Sequence, residues 1–268
     1  MGVLGVLASP ARAASGGAQY YVSLGTSLAV GIQPDAHGRN QRTDEGYADQ
    51  LYRLLRLTRP RLQLVKLGCP GETSVTLIAG GGCDYPVTRS SQLAEAVAFL
   101  QAHRGAVKLV TIDIGANDLL DCADIMTGGI NQDCIKEAFT NLERDLPGIL
   151  KSLRKAAGPG VPIVAINYYN PLVVAEQATA RAAAALVGMF NALLEGIYAD
   201  FDVPVADVAR AFHADDFRLV PALDDLPVNV VLVCQLTWMC APSPQGPNIH
   251  ANTSGYFVIA LALLAALY

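Results

Sequence analysis

Residues 107–115, VKLVTIDIG, have a near-continuous apolar content, interrupted at Lys108, Thr111 and Asp113. A strand of that composition cannot leave one face in water. It needs cover on both sides, as in a mostly parallel sheet packed between helices. The rest of the chain makes the same demand. YYVSLG (20–25), LQLVKLGC (62–69), VPIVAINYY (161–169) and VPVADV (203–208) read as four further strands. Between them, residues 46–57 and 90–103 carry apolar residues three and four apart, as helices do. Helices are also expected over 135–156, stopped by Gly158-Pro159-Gly160, and over the alanine-rich stretch 176–201. Such alternation predicts an α/β fold with a mostly parallel sheet, whose ligands bind beyond the carboxyl ends of the strands. Some forty residues after the fifth strand read as loop-rich. The closing YFVIALALLAALY is about 13 residues, too short for a span of ~20 and suited to a docked core helix.

A chain of 268 residues can build one such domain, and no linker or repeat divides it. Residues 19–268 are expected to form that domain, and residues 1–18 a signal-peptide remnant or a disordered N-terminus. The signal reading rests on a short apolar run followed by Ala11-Arg12-Ala13, an A-x-A cleavage pattern lacking the usual basic start. A net charge of −5 with no basic cluster argues against a nucleic-acid partner. The first strand-to-helix turn has neither G-x-G-x-x-G nor a P-loop, so neither dinucleotide nor P-loop phosphate binding is supported. Apolar residues reach 52%, yet much of this is alanine in helical runs, so no stable membrane insertion is expected.

Six cysteines fall into three local couples, Cys69/Cys83, Cys122/Cys134 and Cys234/Cys240. Six allow 15 connectivities, and local closure favours these three, with reduced, buried cysteines as the alternative. None has the spacing of a zinc site, so no metal is expected. Bridges would fit an exported protein.

Polar residues collect at the predicted strand ends. The first strand runs into Gly25-Thr26-Ser27-Leu28, the second into a loop exposing Gly71, the third into Gly115, Asn117 and Asp118. His250 stands just before the last helix. Together these are what acyl transfer requires: a hydroxyl nucleophile, a base and donors for a developing oxyanion. Each alone has a plainer reading, as a turn, a cap or a helix neighbour. Asp113, a lone carboxylate in an apolar strand, is expected to accept bonds from loop donors, with a role as acid partner for His250 the minor alternative.

With GTSL, CPGETS, GAND and IHAN in that order, the chain resembles the GDSL/SGNH hydrolases, esterases and lipases, in their secreted, disulfide-bearing branch. The resemblance implies a three-layer α/β/α, flavodoxin-like fold with a mostly parallel five-stranded sheet. It implies Ser27 as nucleophile, His250 as general base, and an oxyanion hole from the N–H groups of Ser27 and Gly71 and the amide of Asn117. It needs no cofactor. The chain departs from the pattern in two ways. Thr26 stands where the family has Asp, from which altered rigidity of the nucleophile turn is expected. Asn248 and Pro247 stand where it places the acid that partners the histidine. An amide oxygen at 248 can accept from imidazole but cannot offset its charge, so a slower or dyad-type enzyme is expected. Trp238, on the loop 230–246, is a candidate acyl-binding wall, with packing against the domain the equal alternative, and Tyr168, Tyr169 and Asn170 are expected to face the same crevice. The substrate is expected to be a small-molecule or lipid ester, and the protein a secreted monomer. A carbohydrate O-deacetylase and a non-catalytic ligand-binding protein are the alternatives.

Overall fold

A computed structural model of the chain describes residues 17–85, 87–88, 90–122, 129, 131–175 and 177–268. The N-terminal segment read as a signal remnant thus lies, up to residue 16, outside the described residues. Five strands form one sheet: β1 (Gln19–Gly25), β2 (Leu62–Lys66), β3 (Val107–Asp113), β4 (Ile163–Ile166) and β5 (Val205–Ala206). Their spatial order is β2-β1-β3-β4-β5, and every pairing is parallel. The order reverses between β1 and β3. That switch point leaves a crevice at the carboxyl ends of these two strands.

β1 and β3 are the buried centre. Tyr21, Val22, Leu24, Leu109, Val110 and Ile112 are each fully buried, on both faces of the two strands, with Ser23 and Thr111 buried among them. Helices α2 (Tyr47–Arg56) and α10 (Thr253–Ala266) pack together, as do α4 (Gln92–Ala102) and α6 (Gln132–Ala157). α7 (Gln177–Ala199) packs on α6. Three disulfides, Cys69–Cys83, Cys122–Cys134 and Cys234–Cys240, close short loops.

The differences from expectation are local. β2 stops at Lys66, not at 69, although Leu67 and Cys69 still donate to Ser23 and Gly25 of β1 as the chain peels away. β4 ends at Ile166 because Tyr168 exchanges its backbone bonds with the Asn191 side chain instead of a strand. The stretch after β5 is less loop-like than expected. It holds α8 (Val208–Ala211), a hairpin of Leu219–Val220 with Leu226–Pro227, and α9 (Val228–Leu236). α9 is rich in β-branched valine, a weak helix former. Packing against α10 overrides that preference.

Candidate active site at the switch point

The nucleophile turn is built around one close approach. Gly25 ends β1 with φ +129°, and a Cβ there would lie 1.4 Å from Asp113 Oδ1. Only glycine fits. Asp113 then holds the next residue: Thr26 N–H donates to Oδ1 at 2.7 Å and Thr26 Oγ1 donates to Oδ2 at 3.2 Å. Burial pushes the Asp113 carboxyl up to about 8, against the pull of these bonds. Thr26 is the N-cap of α1 (Ser27–Val30), so Ser27 sits at its first position, half-exposed. The turn expected to change rigidity with Thr26 is braced from the neighbouring strand. Asp113 spends its bonds there and makes none to His250.

The two other donor segments follow β2 and β3. Gly71 has φ +79°, in a turn closed by Glu72 N–H donating to Cys69 O at 3.2 Å. Gly115, φ +113°, starts α5 (Ala116–Leu120), and Asn117 Nδ2 donates to the Glu72 carbonyl at 2.9 Å. That bond uses one amide hydrogen and leaves the other. Among the described residues the N–H groups of Ser27 and Gly71 carry no protein partner. Asp118, next in line, turns away and accepts from Ser74 N–H at 3.0 Å.

His250 arrives on the loop before α10. Its backbone N–H donates to Asn248 Oδ1 at 3.0 Å, and its Nδ1 lies 2.7 Å from the same oxygen. A backbone N–H can only donate, so the atom facing it is the amide oxygen. Nδ1 must therefore carry the proton, and Nε2 keeps its lone pair. Asn248 is fixed in turn by its Nδ2 donating to Asn40 Oδ1 at 2.7 Å. Asn40 lies on a short hairpin, Ile32–Pro34 with Asn40–Arg42, and sequence reading had not singled it out. Burial lowers the His250 pKa to about 4, and an amide supplies no charge to oppose that.

Ser27, Gly71, Asn117 and His250 all line one cavity of about 500 Å³. No hydrogen bond joins Ser27 to His250 among the described residues; such bonds often tighten only once substrate is bound. The rest of the wall is mainly apolar, with Leu119, Leu120, Leu172, Leu186 and Phe190 in the lining. These come from α5, α7 and the 3₁₀ turn Pro171–Val174, segments with no shared sequence signal. Tyr168, Tyr169 and Asn170 line it as expected. Tyr169 also donates its hydroxyl to the Ile249 carbonyl at 2.7 Å, tying the histidine loop to the end of β4.

Trp238 is corrected. It is absent from the cavity wall, and its indole N–H donates to Gln33 at 3.1 Å. Its backbone instead frames the histidine, donating to His250 O at 3.0 Å and accepting from Asn248 N–H at 3.2 Å. The loop is held by its backbone, and the ring is turned to the hairpin. His37, on the loop after the Ser27 turn, is exposed and outside the lining. Among the described residues no cluster of histidine, cysteine or acidic side chains has the form of a metal site.

A parallel 2-1-3-4-5 sheet with a lined cavity at its switch point defines a three-layer α/β/α enzyme fold. The sequence profile of the GDSL-like lipase/acylhydrolase family matches residues 23–257, and the chain belongs to that family. It is a carboxylic ester hydrolase. No curated protein matches the chain. Among solved structures it is similar to a lipase from the goat rumen metagenome, at 17% identity and a TM-score of 0.60, covering 92% of this chain and 97% of that one. The extracellular lipase of Streptomyces rimosus is 18% identical, with a TM-score of 0.58 over 92% of this chain and 100% of that one. An acetylxylan esterase of Geobacillus stearothermophilus is 17% identical, with a TM-score of 0.56 over 94% and 95%. Likeness at these identities is likeness of fold.

Proposed function

We propose that the protein hydrolyses esters of extended apolar acyl groups through an acyl-enzyme on Ser27. The observation that carries this is one cavity lined by Ser27, Gly71, Asn117 and His250 together with several leucine side chains and Phe190. His250 Nε2 takes the Ser27 proton as Oγ attacks the ester carbonyl. The charge on the tetrahedral oxygen is met by the N–H groups of Ser27 and Gly71 and the free amide hydrogen of Asn117. His250 then returns the proton to the departing alkoxide, and water repeats the sequence to release the acid. Asn248 positions the imidazole and fixes its tautomer. Its neutrality leaves the imidazolium without a counter-charge, which favours a slow enzyme. No cofactor enters these steps.

The apolar wall favours long acyl chains over acetyl groups, since burying each CH₂ contributes about 0.8 kcal/mol. Three disulfides support a site of action outside the reducing cytosol, as does the likeness to an extracellular lipase. The test is a panel of p-nitrophenyl esters from acetyl to long-chain, with acetylated sugars, on wild type and Ser27→Ala. Rates should climb with chain length and vanish in the variant. A preference for acetylated sugars would point to a deacetylase. Equal rates for wild type and Ser27→Ala would remove the serine mechanism.

A further inference from the structure

The three donors assigned to the oxyanion sit on three separate segments, after β1, β2 and β3. Their spacing must be held to a fraction of an ångström for all to reach one atom. One buried side chain spans two of these segments. Gln92, the first residue of α4, is fully buried. Its Oε1 accepts from Gly25 N–H at 2.6 Å, and its Nε2 donates to Gly25 O at 2.9 Å. The same Nε2 donates to Glu72 Oε2 at 2.9 Å. Gly25 stands two residues before Ser27, and Glu72 immediately follows Gly71. The third segment joins through the Glu72 carbonyl, which accepts from Asn117.

We propose that Gln92 and Glu72 are positioning residues that hold the oxyanion donors of Ser27, Gly71 and Asn117 in mutual register. Neither lines the cavity, so both act through the donors. The chemistry suits the task. A primary amide presents one acceptor and two donor hydrogens from a single planar group. It therefore pairs with both sides of Gly25, as a neighbouring strand would, and still reaches Glu72. Glu72 is a costly residue to keep there. It is 1% exposed, and while Oε2 also accepts from the Tyr85 hydroxyl at 3.2 Å, Oε1 has no partner among the described residues. An apolar residue of similar shape would avoid that cost, so its retention fits a positional role better than a stabilising one.

The inference rests on the oxyanion reading above, and the experiment separates the two. kcat and KM are measured with one p-nitrophenyl ester for wild type, Ser27→Ala, Asn117→Ala, Gln92→Met and the double variant Gln92→Met/Asn117→Ala, with folding checked by circular dichroism. Gln92→Met keeps the shape and removes the bonds. It should lower kcat about 10- to 100-fold while KM stays within about twofold. Asn117→Ala should then cost distinctly less in the Gln92→Met background than in wild type, because the donors are already out of register. Should Gln92→Met not fold, Glu72→Met carries the same two expectations. A folded variant with kcat within about twofold of wild type, or with fully additive losses, overturns the inference while an inactive Ser27→Ala leaves the serine mechanism standing. An active Ser27→Ala overturns both.

Discussion

The two halves of the proposed active site are held in opposite ways. The proposed nucleophile and donor half grows out of the central strands β1 and β3 and is tied by side chains: buried Asp113 to Thr26, buried Gln92 to Gly25, and half-buried Asn117 to Glu72. The histidine half hangs on a loop between α9 and α10, kept in place by Trp238 backbone bonds, the Cys234–Cys240 bridge and the Tyr169 hydroxyl. Its orienting partner, Asn248, rests on an exposed asparagine of the small hairpin. The contrast teaches that geometry and charge are separable. The loop fixes the tautomer of His250 without a charge, and leaves its proton affinity low.

The most severe way to test the rigid half is Gly25→Ala. A methyl group there meets Asp113 at 1.4 Å with φ at +129°, so the variant should lose several kcal/mol and fail to accumulate as folded protein. A folded, active Gly25→Ala would show that the turn yields more than the contrast allows.

The histidine half is tested by charge. Asn248→Asp should raise kcat about tenfold or more, by stabilising the imidazolium. The pH profile sharpens this prediction. His250 must be neutral to accept a proton, and burial places its pKa at about 4, so the acid limb of kcat/KM should lie near pH 4. In Asn248→Asp the limb should move upward, because a carboxylate favours the charged imidazole. A faster variant with an unmoved limb would separate position 248 from the base. Linkage has its own sign here. The folded-state value lies below the ordinary 6.5, so His250 contributes stability above pH 6.5 that is lost as pH falls toward about 4. Denaturant midpoints across that window would show the slope.

The smallest expected effect concerns the buttress. Asn40→Ala removes the partner of the Asn248 amide, a single exposed hydrogen bond worth about 1 kcal/mol. A few-fold loss in kcat with unchanged thermal stability is expected. A loss as large as that from removing Asn117 would place the hairpin among the rigid parts of the site.

That Ser27, Gly71, Asn117 and His250 gather at one cavity, and that the three cysteine couples close, was legible in the chain from neighbouring residues: a glycine before the serine, a strand ending before the asparagine, short spacings between thiols. The central strands were legible too, since burial on both faces demands a largely apolar composition in any order of assembly. What tertiary structure alone decided was direction and company. Nothing near Trp238 says that its ring turns to Gln33 and away from the cavity, and nothing near Asn40 or Gln92 says what each will hold. The valines of α9 argue locally for a strand and become a helix where another helix covers them. Patterns of polarity are properties of a segment, whereas the partner of a buried amide is settled only when distant segments pack and each donor must find an acceptor.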